Sequence, residues 1–146
     1  MHRDIKPENI LVRDMSPKAR LFLADFGSAI KLKDEDDKTC HMTGTKGYVA
    51  PEVIQGQPYS FLCDIWSLGC LLHELISGYI PFGHGDIFEQ KWRVYEEPLD
   101  LTTDPYLNAI SEPCKELLHK LLEKDPSNRP SIEEVLHFRW FNSDER

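Results

Sequence analysis

The longest apolar stretch of the chain, SFLCDIWSLGCLLHELISG over residues 60–78, places hydrophobic side chains nearly all round a helical projection. A surface helix would confine them to one stripe, so the pattern predicts a central, buried helix. Ser60 stands where an N-cap is needed and Gly78 where a helix stops. Weaker patterns of the same period predict helices over residues 86–94, 111–123 and 131–137. Ser111-Glu112-Pro113 and Pro130-Ser131 are start signals for the last two, and Asp125-Pro126 closes the helix before it.

Upstream of residue 60 the pattern is strand-like and short. Asn9-Ile10-Leu11-Val12 and residues 19–24 (ARLFLA) read as two strands joined through a Ser16-Pro17 turn. Residues 31–40 (KLKDEDDKTC) alternate in charge with no apolar period, which predicts an exposed loop. Neither an internal repeat nor a linker interrupts the chain. The expected fold is therefore one mainly α unit with a small β-hairpin, and 146 residues suffice to bury a core.

Composition narrows the classes of partner. A net charge of −8 argues against nucleic acid or an anionic membrane as the main partner. No apolar run approaches the ~18 residues of a membrane span, and no signal-peptide pattern follows Met1. Cys40, Cys63, Cys70 and Cys114 form no CxxC pair, which argues against zinc, although Cys40-His41 could supply half a site. Cys63 and Cys70 fall within the buried helix and read as small apolar side chains. Free cysteines fit a reducing compartment, cytoplasmic or nuclear. His73, His84, His119 and His137 have no ligand spacing and read as structural or surface residues.

Three short motifs occur in order: His2-Arg3-Asp4-Ile5-Lys6-Pro7-Glu8-Asn9, Asp25-Phe26-Gly27 and Ala50-Pro51-Glu52. Singly, the first two would pass as ordinary turns. Together with Asp64-Ile65-Trp66-Ser67-Leu68-Gly69 and Asp125-Pro126-Ser127-Asn128-Arg129-Pro130, the set resembles the C-terminal lobe of a eukaryotic protein kinase, part of an α+β two-lobe fold. The resemblance covers residues 1–141, with the activation segment at 25–52, a helical subdomain at 60–141 and a tail at 142–146.

The resemblance implies ATP and Mg²⁺ as cofactors and a definite set of roles. Phosphoryl transfer needs positioning and charge neutralisation more than covalent chemistry. Asp4 would orient the incoming hydroxyl and accept its proton, and Lys6 would offset charge on the transferred group. Asn9 and Asp25 would supply oxygens to magnesium, a hard cation. Lys6, Glu8, Asn9 and Asp25 together form the nucleotide side of the site. Glu52 is expected to pair with Arg129, Asp64 to bind catalytic-loop backbone, and His2 to brace the Asp25-Phe26-Gly27 turn. A buried carboxylate such as Asp64 must find such partners.

Lys6 and the Gly44-Thr45 pair resemble the serine/threonine class, with Thr45 expected to contact Asp4 and Lys6. Val49 before Ala-Pro-Glu argues against proline-directed specificity. Glu8, Thr45 and Glu74 are the substrate-binding candidates, and the two glutamates suit a protein substrate that is basic around its target hydroxyl. Arg3 could receive a phosphate on the activation loop. The chain departs from the family there, because His41 stands where many such kinases carry the phosphorylated Thr. Thr39 and Thr43 are the alternative phosphosites, with solvated loop threonines the competing reading.

The Gly-rich loop, the strand Lys with its helix Glu, and the adenine hinge that would precede residue 2 do not occur in these residues. A fragment of a longer kinase, inactive alone, is therefore expected. Several of Phe61, Ile65, Leu68, Leu72 and Leu75 are expected to lose burial unless the N-terminal lobe or a partner covers them. The competing class is a non-catalytic, kinase-like binding or regulatory protein. Against that class, a binding module has no need of Asp4, Lys6, Asn9 and Asp25 together.

Overall fold

The computed structural model describes residues 1–33, 37–83 and 87–142. The acidic centre of the 31–40 loop, His84, Asp86 and residues 143–146 of the expected tail lie outside the described residues. The fold is mainly helical, with one two-stranded antiparallel sheet.

Strands β1 (Ile10–Val12) and β2 (Leu21–Leu23) pair Ile10 with Leu23, Leu11 with Phe22 and Val12 with Leu21. The second strand is shorter than residues 19–24, because Ala19 turns back to Ser16 and Ala24 leaves the ladder toward Asn9. Leu11, Val12, Leu21 and Phe22 are exposed, so the hairpin adds little to the core. Its structural role is to set the two segments at its open end side by side.

The central helix α2 (Leu62–Ser77) lies where the apolar run predicts. Gly78 ends it at φ 82°, a left-handed conformation that glycine adopts without a side-chain clash. The predicted Ser60 cap is not formed. Phe61 already has helical dihedrals, and the first turn is wound by Cys63 N–H to the Ser60 carbonyl and Asp64 N–H to the Phe61 carbonyl. Burial is also uneven along this helix. Trp66 and Cys70 are fully buried, whereas Phe61 just before it and Leu75 within it are exposed.

The other three predicted helices are present with shifted ends: α3 (Ile87–Glu96), α5 (Glu112–Leu121) and α6 (Ile132–Leu136). Ser131 and Glu134 close α6 with a reciprocal capping box. Three short helices went unpredicted, because four or five residues carry too little periodicity to read. They are α1 (Pro51–Ile54), α4 (Pro105–Ala109) and α7 (Arg139–Asn142). Asp104, whose carboxylate accepts the Tyr106 and Leu107 amides, was a legible start signal for α4.

Helix α2 packs against α5 at Gly69. A Cβ there would lie 2.9 Å from side-chain atoms of Leu121 and Leu122. On its other face Trp66 stacks on Phe82, ring centroids 5.6 Å apart, within a core that includes Tyr48, Val53, Tyr59 and Leu118.

A buried ion pair fastens the loops to this core. The Arg129 guanidinium donates to both Glu52 oxygens, each at 2.7 Å, with side-chain exposures of 0% and 3%. It also donates to the carbonyls of Leu62, Glu123 and Lys124, and lies 5.2 Å from the Trp66 ring centroid. Every guanidinium nitrogen is thus engaged, the condition under which a buried charge is tolerated.

Arg129→Ala should lower the unfolding free energy by roughly 3–5 kcal/mol, because it strands the Glu52 charge in the interior. Urea denaturation of the two chains measures this, and a loss below about 1 kcal/mol would contradict the burial argument. Gly69→Ala should cost about 1–3 kcal/mol by the same assay, since the added methyl forces α2 and α5 apart.

Candidate active site

The segment before the hairpin is held to α2 by a single carboxylate. Asp64 accepts the backbone N–H of His2 and that of Arg3, both at 2.7 Å. Those bonds hold Arg3 at φ 71°, a left-handed conformation unusual for an arginine. The reversal turns Asp4 and Lys6 toward one another.

His2 connects this loop to the second motif. The Asp4 N–H points at its Nδ1 (3.3 Å), so Nε2 carries the proton and donates to the Ala24 carbonyl at 2.9 Å. The His2 ring also meets Phe26 edge-on at 5.0 Å. Asp25 follows at φ 56° and caps the turn at Phe26–Ser28 by accepting the Gly27 N–H.

Around Asp4 three side chains converge. The Thr45 hydroxyl donates to Asp4 Oδ1 at 2.6 Å and accepts from Lys6 Nζ at 2.6 Å. Lys6 Nζ lies 3.1 Å from Asp4 Oδ2. The Asn9 amide nitrogen donates to the Asp4 carbonyl at 2.8 Å and to Oδ2 at 3.2 Å. Burial pushes the Asp4 carboxyl up, but the Thr45 and Lys6 hydrogen bonds, the Lys6 charge and Asn9 together hold it below the usual carboxylate range. Asp4 is accordingly ionised at neutral pH. A carboxylate offers about four acceptor positions, so one remains for a further hydroxyl.

The hairpin places the remaining two oxygen donors. Asn9 precedes β1 and Asp25 follows β2, and the Ala24 N–H donates to the Asn9 carbonyl at 2.8 Å. With its amide nitrogen turned to Asp4, Asn9 directs its oxygen away from that carboxylate, on the hairpin end that carries the exposed Asp25 carboxylate. One carboxylate and one amide oxygen suit magnesium that completes its shell with phosphate and water. Among the described residues no cluster of three His, Cys, Asp or Glu could hold a metal alone.

Tyr48 organises the neighbouring surface, a role the motif reading did not assign. Its hydroxyl donates to Glu74, and its carbonyl accepts from the buried Ser67 hydroxyl at 2.8 Å. Burial raises the Tyr48 hydroxyl well above its ordinary range, and the nearby Glu74 and Glu8 charges raise it further. The two glutamates singled out as substrate contacts therefore flank one residue; Glu8 is exposed and Glu74 partly so. A buried aromatic with a polar tip next to Gly44-Thr45 was the available signal for it.

The two candidate phosphosites are placed by partners other than Asp4, Lys6 and Asn9. Thr39 forms an isolated antiparallel bridge with Tyr59, and the Thr43 hydroxyl approaches that of Ser28 at 3.4 Å. The Arg3 guanidinium donates to the Ser28 carbonyl at 2.6 Å and to the Tyr59 hydroxyl at 3.3 Å.

Residues 1–141 match the family described as protein kinase domain. The chain belongs to the protein kinase domain family. It is 34% identical over 146 residues to calcium/calmodulin-dependent protein kinase type II subunit delta of Oryctolagus cuniculus, covering 97% of this chain and 26% of that relative. The chain thus spans about a quarter of the curated relative it matches. In this family setting, the convergence of Asp4, Lys6, Asn9 and Thr45 is the arrangement to test for phosphoryl transfer.

Thr45→Val removes the hydroxyl that bridges Asp4 and Lys6 while keeping the side-chain shape. The Asp4 carboxyl should then titrate at a higher pH, by carbon-detected NMR of the side chain. The sign follows from the cause: a depressed folded-state value stabilises the fold above the unfolded value of about 4. That contribution disappears as pH falls through the folded value, and the Thr45→Val chain should show less of it. An unchanged Asp4 titration would mean that Thr45 does not tune the carboxylate.

Proposed function

We propose that this chain is the C-terminal catalytic lobe of a protein serine/threonine kinase, which transfers the γ-phosphate of ATP to Ser or Thr hydroxyls of protein substrates. The observation that carries the reading is the ionised Asp4 within hydrogen-bond reach of Lys6, Asn9 and Thr45. Asp4 orients the substrate hydroxyl and takes its proton as the oxygen attacks phosphorus. Lys6 offsets negative charge on the transferred group. Thr45 fixes both relative to the substrate-facing loop, and Asn9 and Asp25 hold Mg²⁺. When bound, the metal neutralises phosphate charge and aligns the group in transit. Glu8 and Glu74 favour basic side chains near the target hydroxyl.

The nucleotide must also be gripped from the side that Asp25 faces, and these residues contain no glycine-rich phosphate loop. A groove of about 1170 Å³, lined by Met1, Ile5, Leu23, Phe26, Phe61 and Leu68 among others, opens beside the site. We assign that groove to the rest of the kinase domain in the longer protein, with the isolated chain inactive.

In the longer protein carrying these residues, Asp4→Ala should reduce phosphotransfer to an Arg-flanked serine peptide by about 10²–10⁴-fold. Asp25→Ala should do the same and weaken the magnesium dependence. Undiminished transfer in Asp4→Ala would overturn the reading. Absence of transfer in the parent, with partner binding that survives Asp4→Ala, would instead favour a regulatory kinase-like protein.

A further inference from the structure

Tyr59 lies between the last of the activation segment and α2, and it is 3% exposed. Its backbone bridges Thr39 in both directions, Thr39 N–H to the Tyr59 carbonyl at 3.0 Å and Tyr59 N–H to the Thr39 carbonyl at 2.9 Å. Its side chain reaches the same loop further on, where the hydroxyl donates to the His41 carbonyl at 2.5 Å. The same oxygen accepts from the Arg3 guanidinium at 3.3 Å. Arg3 is in turn fixed by the Ser28 carbonyl and, through its amide, by Asp64.

A hydroxyl is the smallest group that can accept from a guanidinium and donate to a carbonyl with one atom. Position 41 carries a histidine, and none of residues 39–43 is acidic, so the stretch that Tyr59 contacts offers Arg3 no carboxylate of its own. We propose that Tyr59 is a positioning residue that clamps residues 39–43 to Arg3 through its hydroxyl, so that the loop is held beside the Asp4 cluster without an added phosphate. Its consequence for phosphotransfer rests on the kinase reading above; the clamp itself does not.

The clamp is read by amide hydrogen exchange of residues 37–45 in the purified, unphosphorylated chain, without nucleotide. Tyr59→Phe should speed exchange of that stretch about five- to tenfold, with α2 and α5 unchanged. Arg3→Lys, which retains the backbone bonds to Asp64 but loses the guanidinium fork, should act in the same direction. It decides the matter if Tyr59→Phe also loosens α2. Adding His41→Glu to Tyr59→Phe offers Arg3 a carboxylate from the loop and should restore slow exchange, which a ring that merely fills space would not allow. Exchange unaltered by either single variant would overturn the clamp, and fast exchange persisting in the double variant would overturn Arg3 as its anchor. Because no phosphate is transferred in the experiment, a failed clamp and a failed kinase reading remain separate results.

Discussion

The two hydrogen bonds that Asp64 accepts from His2 and Arg3 govern the geometry of the whole site. They place a carboxylate acceptor at the start of the central helix and oblige the preceding loop to reverse its direction. Charge-assisted bonds to backbone amides are stronger than neutral ones, which is how Arg3 can persist with a positive φ. Everything that reaches Asp4 depends on that reversal. His2 then carries the constraint onward to Ala24 and Phe26, so the Asp25 turn is positioned from α2 through an imidazole rather than through the hairpin alone.

A second anchor operates at the far end of the same segment. The Glu52–Arg129 pair is costly to desolvate, and its value lies in specificity of placement as much as in stability. It joins the end of the loop that carries Thr45 to the carbonyl at 62, at the start of α2, and to those at 123 and 124, in the turn after α5. Between the two anchors, Tyr48 and Tyr59 each contribute a buried ring and a hydrogen-bonding tip. The loop that carries Thr45 is therefore held by side chains, with little regular secondary structure of its own.

Several features were readable because they depend on local pattern. The α2 run, its Gly78 stop, the hairpin and the Pro130-Ser131 start all follow from periodicity or turn chemistry within a short window. The Ser60 cap failed because the chain wound its first turn through backbone bonds before a side chain was needed. Residues 19–24 shortened to Leu21–Leu23 because strand extent depends on the partner's length, which propensity does not encode. The short helices α1, α4 and α7 exist by virtue of packing and caps, not of period.

By itself the sequence determined the candidates for chemistry, through the resemblance: Asp4, Lys6, Asn9 and Asp25 stand in ordered motifs whose side-chain types suit phosphoryl transfer. It also determined the central helix, because apolar density all round a helix has no other stable placement in water. Only the tertiary structure set the geometry of the Thr45 contact that the resemblance implied, with the hydroxyl, some forty positions away, 2.6 Å from both Asp4 and Lys6. It alone assigned Tyr48 to Glu74 and Tyr59 to Arg3 and His41. The physical reason is common to these cases: a hydrogen bond is decided by distance and direction in space, and neither is present in a local pattern of residues.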